Sequence, residues 1–295
     1  MNIALVTNKE LHHKYWVSQL YHHHNNNVRL IIHPSGVKSS VGNKIKQKRL
    51  FFYGLFYFIL KVISLFYNKY FSKGLSMSNN RAENIFFKKY ENQYDKIPKE
   101  IILEVDTVNS TTVIQLIKDN DIDVICFLGG DIAKKNFIKS ARICLNFHSG
   151  ISPYYNGART NYHAVSDFRP NFTGGTLMKM NERIDGGEIF MHYLCPISGT
   201  DRAEDLFMKG IIGAVKTYQE FLNNYSHDAK GIKQKRSFKF VRNIDWTIIN
   251  DIKLNVFYKK NRMEIYEREE LIIDYVNKNY SHGDMYRISL KEILS

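Results

Sequence analysis

Short apolar runs that end in polar or glycine turns alternate along this chain with longer stretches whose apolar residues recur at helical spacing. The chain opens on MNIALVTN, an apolar run closed by polar residues, as the first strand of a parallel sheet reads. Lys9 to about His23 follows as a helix, and VRLIIH (Val28 to His33) as a second strand, broken by Pro34, Ser35 and Gly36. The rhythm returns with IILEV (Ile101 to Val105) as a strand. Asn109-Ser110-Thr111 then gives a helix N-cap signal before VIQLIKDN. DVICFLGG (Asp123 to Gly130) is a buried strand ending in a glycine turn, Ile132 to Lys139 a helix, and ICLNFHSG (Ile143 to Gly150) a further strand. A loop with Pro153 and Gly157 leads to a helix near Thr160 to Ser166. GTLMKMN (Gly175 to Asn181) and GEIFMHYL (Gly187 to Leu194) read as strands flanking a short loop that carries Asp185. Arg202 to Asn223 is a long amphipathic helix with Leu206, Ile211, Ile212, Val215 and Phe221 on its apolar face. The alternation predicts an α/β fold: an open, mostly parallel Rossmann-like sheet with helices on both faces, and a small C-terminal appendix. In such sheets ligands bind beyond the carboxyl ends of the strands, where Gly129, Gly130, His148, Ser149 and Gly150 fall.

Two stretches leave this rhythm. Residues 37–95 read as an insertion, basic and then apolar, within a main domain of residues 1–223. Residues 224–295 read as a small extension for substrate contact or dimerisation. Between Glu10 and Glu83 there is no acidic residue, and KIKQKR (Lys44 to Arg49) runs directly into LFFYGLFYFILKVISLFY (Leu50 to Tyr67). Gly54, Lys61 and the tyrosines argue against a membrane span. A helix packed on the domain is the first reading of this run, and peripheral contact of residues 44–67 with an anionic membrane the second. The formal net charge of +13 suits an acidic partner: nucleic acid, an anionic membrane surface or a phosphorylated small molecule. Cys126, Cys144 and Cys195 stand far apart, which excludes a disulfide framework and a zinc knuckle and favours a reducing, cytosolic setting. His12, His13 and His22 to His24 lie on the first helix and its exit turn and read as a solvated surface rather than a metal-ligand set.

The chemistry gathers in NFHSG. Residues two apart on a strand point the same way, so Asn146 and His148 share a face. An asparagine amide can donate to an oxygen that becomes negative, and an imidazole can donate or accept a proton. Asp185, on its glycine-flanked loop, can orient that imidazole. Taken singly, Asn146 and Asp185 read first as satisfying backbone groups in a turn, and His148 reads equally either way. Trp246, Phe257 and Tyr258 in the tail read as core or dimer packing first and as a stacking surface for a nucleotide base second.

The longer strings narrow these choices. ICLNFHSGISPYYNGA (143–158) resembles the signature of the folate-dependent formyltransferases, an Asn-x-His pair followed by small and apolar residues, a proline and a glycine. GGTLMKMNERIDGGEIF (174–190) is similar to that family's downstream segment, and VNSTTVIQLIKDNDIDVICFLGGDIAKKNFI (108–138) to its upstream one. The resemblance covers 101–223 well and the first strand and helix loosely, but neither the insertion nor most of the tail. It implies transfer of a formyl group from 10-formyltetrahydrofolate, as co-substrate, to an amine. It also implies that Asn146 binds the formyl oxygen, that His148 assists proton movement and steadies the oxyanion, and that Asp185 positions the imidazole or a water. Phe127, Leu128, Gly129 and Ile184 then line the pterin pocket, with no metal required, and Ser149, Gly150 and Asn161 are expected at the acceptor; Tyr154 and Tyr155, beside the active-site loop, read equally as bordering the acceptor and as ordinary loop packing.

NGARTNYHAV departs from the Arg-Gly-Ala run of methionyl-tRNA formyltransferases and is closer to relatives that formylate amino sugars on nucleotides, whereas TLMKM is closer to the transfer-RNA enzymes. The first expectation is therefore an amino-sugar nucleotide as acceptor, for a surface polysaccharide such as lipopolysaccharide or O-antigen. It is made in the cytoplasm or at the inner face of the membrane, by a monomer or a homodimer. The alternative is methionyl-tRNA, although transfer-RNA enzymes of this family carry a β-barrel domain for which residues 224–295 are short. A formyl-folate hydrolase and a non-catalytic membrane-associated scaffold rank below both.

Overall fold

The computed structural model describes residues 1–35, 59, 62–63, 66, 79–234, 236–260 and 262–295. Five strands carry the apolar runs read from the sequence: β1 (Ile3–Thr7), β2 (Val28–Pro34), β3 (Ile102–Val105), β4 (Val124–Leu128) and β5 (Ile143–His148). They are parallel, in spatial order β3-β2-β1-β4-β5. Every residue of β1 and of β4 is buried, as strands covered on both faces require. On one face Leu5, Ile31, Cys126, Leu145 and Phe147 pack with residues of α1 (Leu11–His24) and α7 (Ala203–Asn223). On the other, Val6, Ile32, Ile125 and Phe127 pack with α4 (Thr111–Asp119) and α5 (Lys135–Ile138). The N-cap of α4 is Ser110, whose hydroxyl accepts from the Val113 N–H at 3.3 Å.

Beyond β5 the sheet changes direction. β7 (Gly174–Lys179), β8 (Ile189–Leu194) and β10 (Leu271–Asp274) follow it, each antiparallel to its neighbour. The loop carrying Asp185 joins β7 directly to β8, and so short a link can only make a hairpin. Four of the seven strand pairings are parallel among the described residues. A separate short pair, β6 (Tyr155–Gly157) with β9 (Lys239–Val241), is also parallel. The tail is thus built into the body: β10 extends the main sheet, α8 (Ile248–Lys259) packs on α6 (Thr160–Ser166), and Ile293 of α9 (His282–Leu294) joins a cluster with Ile151, Tyr154 and Phe172.

Three expectations change. The helix read over Ile132 to Lys139 shortens to α5, because the Asp131 carboxylate takes hydrogen bonds from Thr107, from the Val108 N–H (3.4 Å) and from Asn109 (3.4 Å), which hold residues 129–134 as a loop. The histidines of α1 are not all solvated. His13 and His24 are each 8% exposed, His13 bonds the Thr7 hydroxyl at 2.6 Å, and His12 meets Glu83 of α2 (Asn79–Phe87). The helix lies between the sheet and α2, where Phe87 stacks on Tyr15, so more than one side of it is covered. The basic-apolar run 44–67, with its expected membrane contact, lies outside the described residues except for 59, 62, 63 and 66. Among the described residues no helix is long and apolar enough to cross a membrane.

Candidate active site

β5 alternates as its sequence dictates: Leu145 and Phe147 enter the core under α1 and α7, while Asn146 and His148 turn to the other face. Where β4 and β5 end, Tyr218 of α7 inserts its hydroxyl between them. It accepts from the Phe127 N–H (3.0 Å) and donates to the Phe127 carbonyl (2.8 Å), with the Leu145 carbonyl 3.2 Å away. A cavity of about 220 Å³ opens just beyond, lined by Phe127, Asn146 and Met178, by the 129–133 loop and by residues 180–187. The Asn146 amide makes no hydrogen bond to another described residue, which leaves its donors to whatever enters.

His148 is only 5% exposed and stands outside the cavity wall. Its Nε2 lies 3.0 Å from the Tyr155 carbonyl, an acceptor, so Nε2 carries the hydrogen. Its Nδ1 lies 3.5 Å from Asp185 Oδ2. Asp185 is in the wall, and it is what connects the imidazole to the cavity. The same Oδ2 accepts from the Gly157 N–H at 2.9 Å. Gly157 has φ +100°, and a Cβ there would sit 1.9 Å from the Val241 carbonyl oxygen, so only glycine serves. Asp185 itself is left-handed, φ +51°. That conformation costs about 1–2 kcal/mol for an L-residue. Its carbonyl accepts from Asn156 Nδ2 (2.8 Å) and Gln234 Nε2 (3.0 Å), bonds that offset the strain at about 1 kcal/mol each.

Of the residues expected at the folate, Phe127, Gly129 and Ile184 line the cavity, Ile184 at 56% exposure. Leu128 turns the other way, into the core under α1 and α7, because adjacent strand residues face opposite sides. The residues expected at the acceptor are placed differently. Gly150 is where the chain passes His148: a Cβ there would come 2.7 Å from Nε2. The Ser149 carbonyl accepts from the Thr160 hydroxyl. Tyr154, 7% exposed, bonds Ser289 Oγ at 2.8 Å and stacks on Phe238. Tyr155 donates to Asp167 at 3.0 Å. Asn161, 1% exposed, uses both ends of its amide on the Gly174 backbone, at 3.0 and 3.1 Å. These three polar groups are occupied within the fold and do not reach the cavity.

A second, larger cavity of about 590 Å³ adjoins the first and shares Met180, Asn181, Glu182 and Arg183 with it. Its apolar lining is Ile138, Ala141, Cys144 and Met180, and Lys135, Lys139, Arg142 and Lys179 stand around it. Neither this cavity nor Gln234 was visible in the sequence, since both depend on how loops distant in the chain meet. Among the described residues no cluster of His, Cys, Asp and Glu is placed to hold a metal ion.

An open α/β sheet that gathers an amide, an imidazole and a carboxylate where its parallel half meets an antiparallel hairpin brings together group types that acyl transfer uses. Residues 60–220, more than half of the 295, match the formyl transferase family, and the chain belongs to that family. It is 31% identical over 129 residues to the methionyl-tRNA formyltransferase of Pseudoalteromonas translucida, and the chain spans 40% of that relative's length. Its backbone superposes with a TM-score of 0.52 on a sugar N-formyltransferase from Shewanella sp FDAARGOS_354, at 13% identity over 86% of each chain. With WlaRD, a sugar 3N-formyl transferase, the TM-score is 0.51 at 14% identity, over 88% of this chain and 81% of that one. At such identities the likeness is one of fold.

Proposed function

We propose that the protein transfers the formyl group of 10-formyltetrahydrofolate to the amine of a nucleotide-linked amino sugar. The observation that carries this reading is that Asn146 and Asp185 face one cavity while His148 stands behind it with Nδ1 3.5 Å from Asp185 Oδ2. In the reaction the amine attacks the formyl carbon, and the bond to the folate nitrogen then breaks. Each residue has a part that its position supports. Asn146 donates to the formyl oxygen as it becomes an oxyanion, an effect worth about 3 kcal/mol for one well-aimed donor. Asp185 receives the proton that the attacking amine sheds, with Nδ1 of His148 facing the same Oδ2 to share it, and that proton passes to the folate nitrogen as its bond to the formyl carbon breaks. The two adjoining cavities leave room for a folate body beside these groups, with Ile138, Ala141 and Met180 against its rings and lysines near its carboxylates.

Support for the acceptor comes from the fold likeness to sugar N-formyltransferases, one of which, WlaRD, was solved in the presence of dTDP and 5-N-formyl-THF. The net charge of +13 suits a nucleoside diphosphate. The product would be a formylated sugar for a surface polysaccharide, made in the cytoplasm. A second reading, methionyl-tRNA as acceptor, draws on the local identity to the transfer-RNA enzymes. The test is a panel of dTDP-, UDP- and GDP-linked amino sugars and initiator methionyl-tRNA, each incubated with 10-formyltetrahydrofolate and followed by mass. Formylation of the transfer RNA and of no sugar overturns the acceptor assignment. If nothing in the panel gains a formyl group, the transfer reading itself fails.

A further inference from the structure

The chain that leaves α7 runs back across the β7–β8 hairpin before it reaches β9. Ile232 exchanges both backbone hydrogen bonds with Ile189 at the start of β8, at 2.8 and 2.9 Å. Two residues later Gln234 turns its amide into the hairpin loop, where Nε2 donates to the carbonyls of Asp185 (3.0 Å) and Gly187 (2.8 Å). β9 then pairs with β6, and the Ala158 N–H donates to the Val241 carbonyl at 2.7 Å. β6 carries Asn156, the other amide on the Asp185 carbonyl, at 2.8 Å. That one carbonyl is therefore gripped twice, once directly from the tail and once through the strand the tail holds down. Fixing a carbonyl fixes its peptide plane, and here it keeps Asp185 in the left-handed region with its carboxylate toward His148 and the Gly157 N–H.

We propose that residues 231–234 and 236–241 form a strap that positions the Asp185 carboxylate, and that Gln234 is its positioning residue. The proposal rests on the reading of Asp185 as the carboxylate of the transfer site. Gln234 does not line the cavity, so whatever it contributes acts through the Asp185 loop. Its two amide hydrogens serve two carbonyls of one tight loop, a geometry that an apolar packing residue does not supply. Without it the Asp185 carbonyl keeps its Asn156 donor, and the loop loosens while the sheet stays whole.

The experiment compares wild type, Gln234→Ala, Gln234→Lys, Asp185→Asn and the Gln234→Ala/Asp185→Asn double variant, using the amino-sugar nucleotide that reacts fastest in the panel above. Gln234→Ala should lower kcat about 10- to 100-fold, as misplacement of a catalytic group by about 1 Å does. KM for the acceptor should change less than about twofold, and Gln234→Lys, which keeps a donor, should recover most of the rate. The double variant should be no slower than Asp185→Asn alone. Losses that multiply in the double variant, or a wild-type kcat in Gln234→Ala, would overturn the strap. A second readout needs no turnover: trypsin cleavage after the exposed Arg183 should quicken in Gln234→Ala at an unchanged unfolding temperature. An unchanged cleavage rate also overturns the strap. A wild-type rate in Asp185→Asn, by contrast, defeats the reading of Asp185 and leaves the strap to be judged by the cleavage.

Discussion

Among the described residues the Asn146 side chain has no hydrogen-bond partner, while Nδ1 of His148 lies 3.5 Å from Asp185 Oδ2. Replacing Asn146 by Ala should therefore lower kcat about 100- to 1000-fold, the usual effect of removing one oxyanion donor, with much less change in KM. Single-turnover formyl transfer measures this, and a loss under about tenfold would remove Asn146 from the oxyanion role. Buried ionisable groups away from the site make stability depend on pH. Burial pushes Glu204, at the start of α7, up to about 7, and among the described residues its Oε2 has no hydrogen-bond partner. A carboxyl whose folded pKa is raised stabilises while protonated, and that stability is lost as pH climbs through 7. Glu204→Gln mimics the protonated form, so its unfolding free energy should exceed wild type by on the order of 3 kcal/mol at pH about 8 and match it near pH about 5. His163 and His192 act at the other end. Burial lowers each to about 4, so both favour the neutral, folded state above the unfolded histidine pKa and cost stability as pH falls toward 4. Urea unfolding across the pH range reads both limbs.

At the scale of elements, the crevice depends on how β4 and β5 are finished. Strand pairing ends at Phe127 and Asn146, and Tyr218 completes the hydrogen bonding with one hydroxyl from a helix. Tyr218→Phe leaves the Phe127 N–H buried without a partner, which should cost about 1–3 kcal/mol in urea unfolding. It should also weaken formyl-folate binding, because Phe127 lines the cavity. A variant that unfolds and binds like wild type would show that the strands close without the tyrosine. Pattern reading found β1 to β5, β7, β8, α1, α4, α6 and α7, each of which carries its own periodicity, and missed α2, β6 and the tail's β9, β10, α8 and α9. It overran at α5, where Asp131 recruits residues 107–109 to hold a loop, an interaction between segments that no local pattern records.

At the scale of the whole molecule, an excess of 42 basic over 29 acidic residues gives a net charge of +13, which attracts anionic ligands. The KM for a nucleotide-linked acceptor should therefore rise several-fold between about 0.05 and about 0.5 M salt, where the Debye length shrinks from above 10 Å to a few Å. kcat should hold steady, because the cavity chemistry is short-range. A KM that ignores salt would remove diphosphate attraction from the account of binding. The antiparallel wing is also a whole-molecule property. β10, Ile232 and Gln234 attach the tail to the main sheet and to the Asp185 loop, so the extension read from its weak rhythm as an appendix reaches the site.

The sequence by itself determined the alternating fold, the helices on both faces and the shared face of Asn146 and His148, because each follows from a period of two or of 3.6 along the chain. It also held the strings that place the chain among the formyl transferases. Tertiary structure alone decided which polar residues are spent inside the fold. Tyr154, Tyr155 and Asn161 sit beside the motif in sequence yet have their hydrogen bonds elsewhere, whereas Gln234 lies 49 residues from Asp185 and bonds it directly. Periodicity is local and legible one residue at a time. A hydrogen-bond partner is fixed only when distant segments meet, and that is why the strand-end pair could be read from the chain and the strap that holds its carboxylate could not.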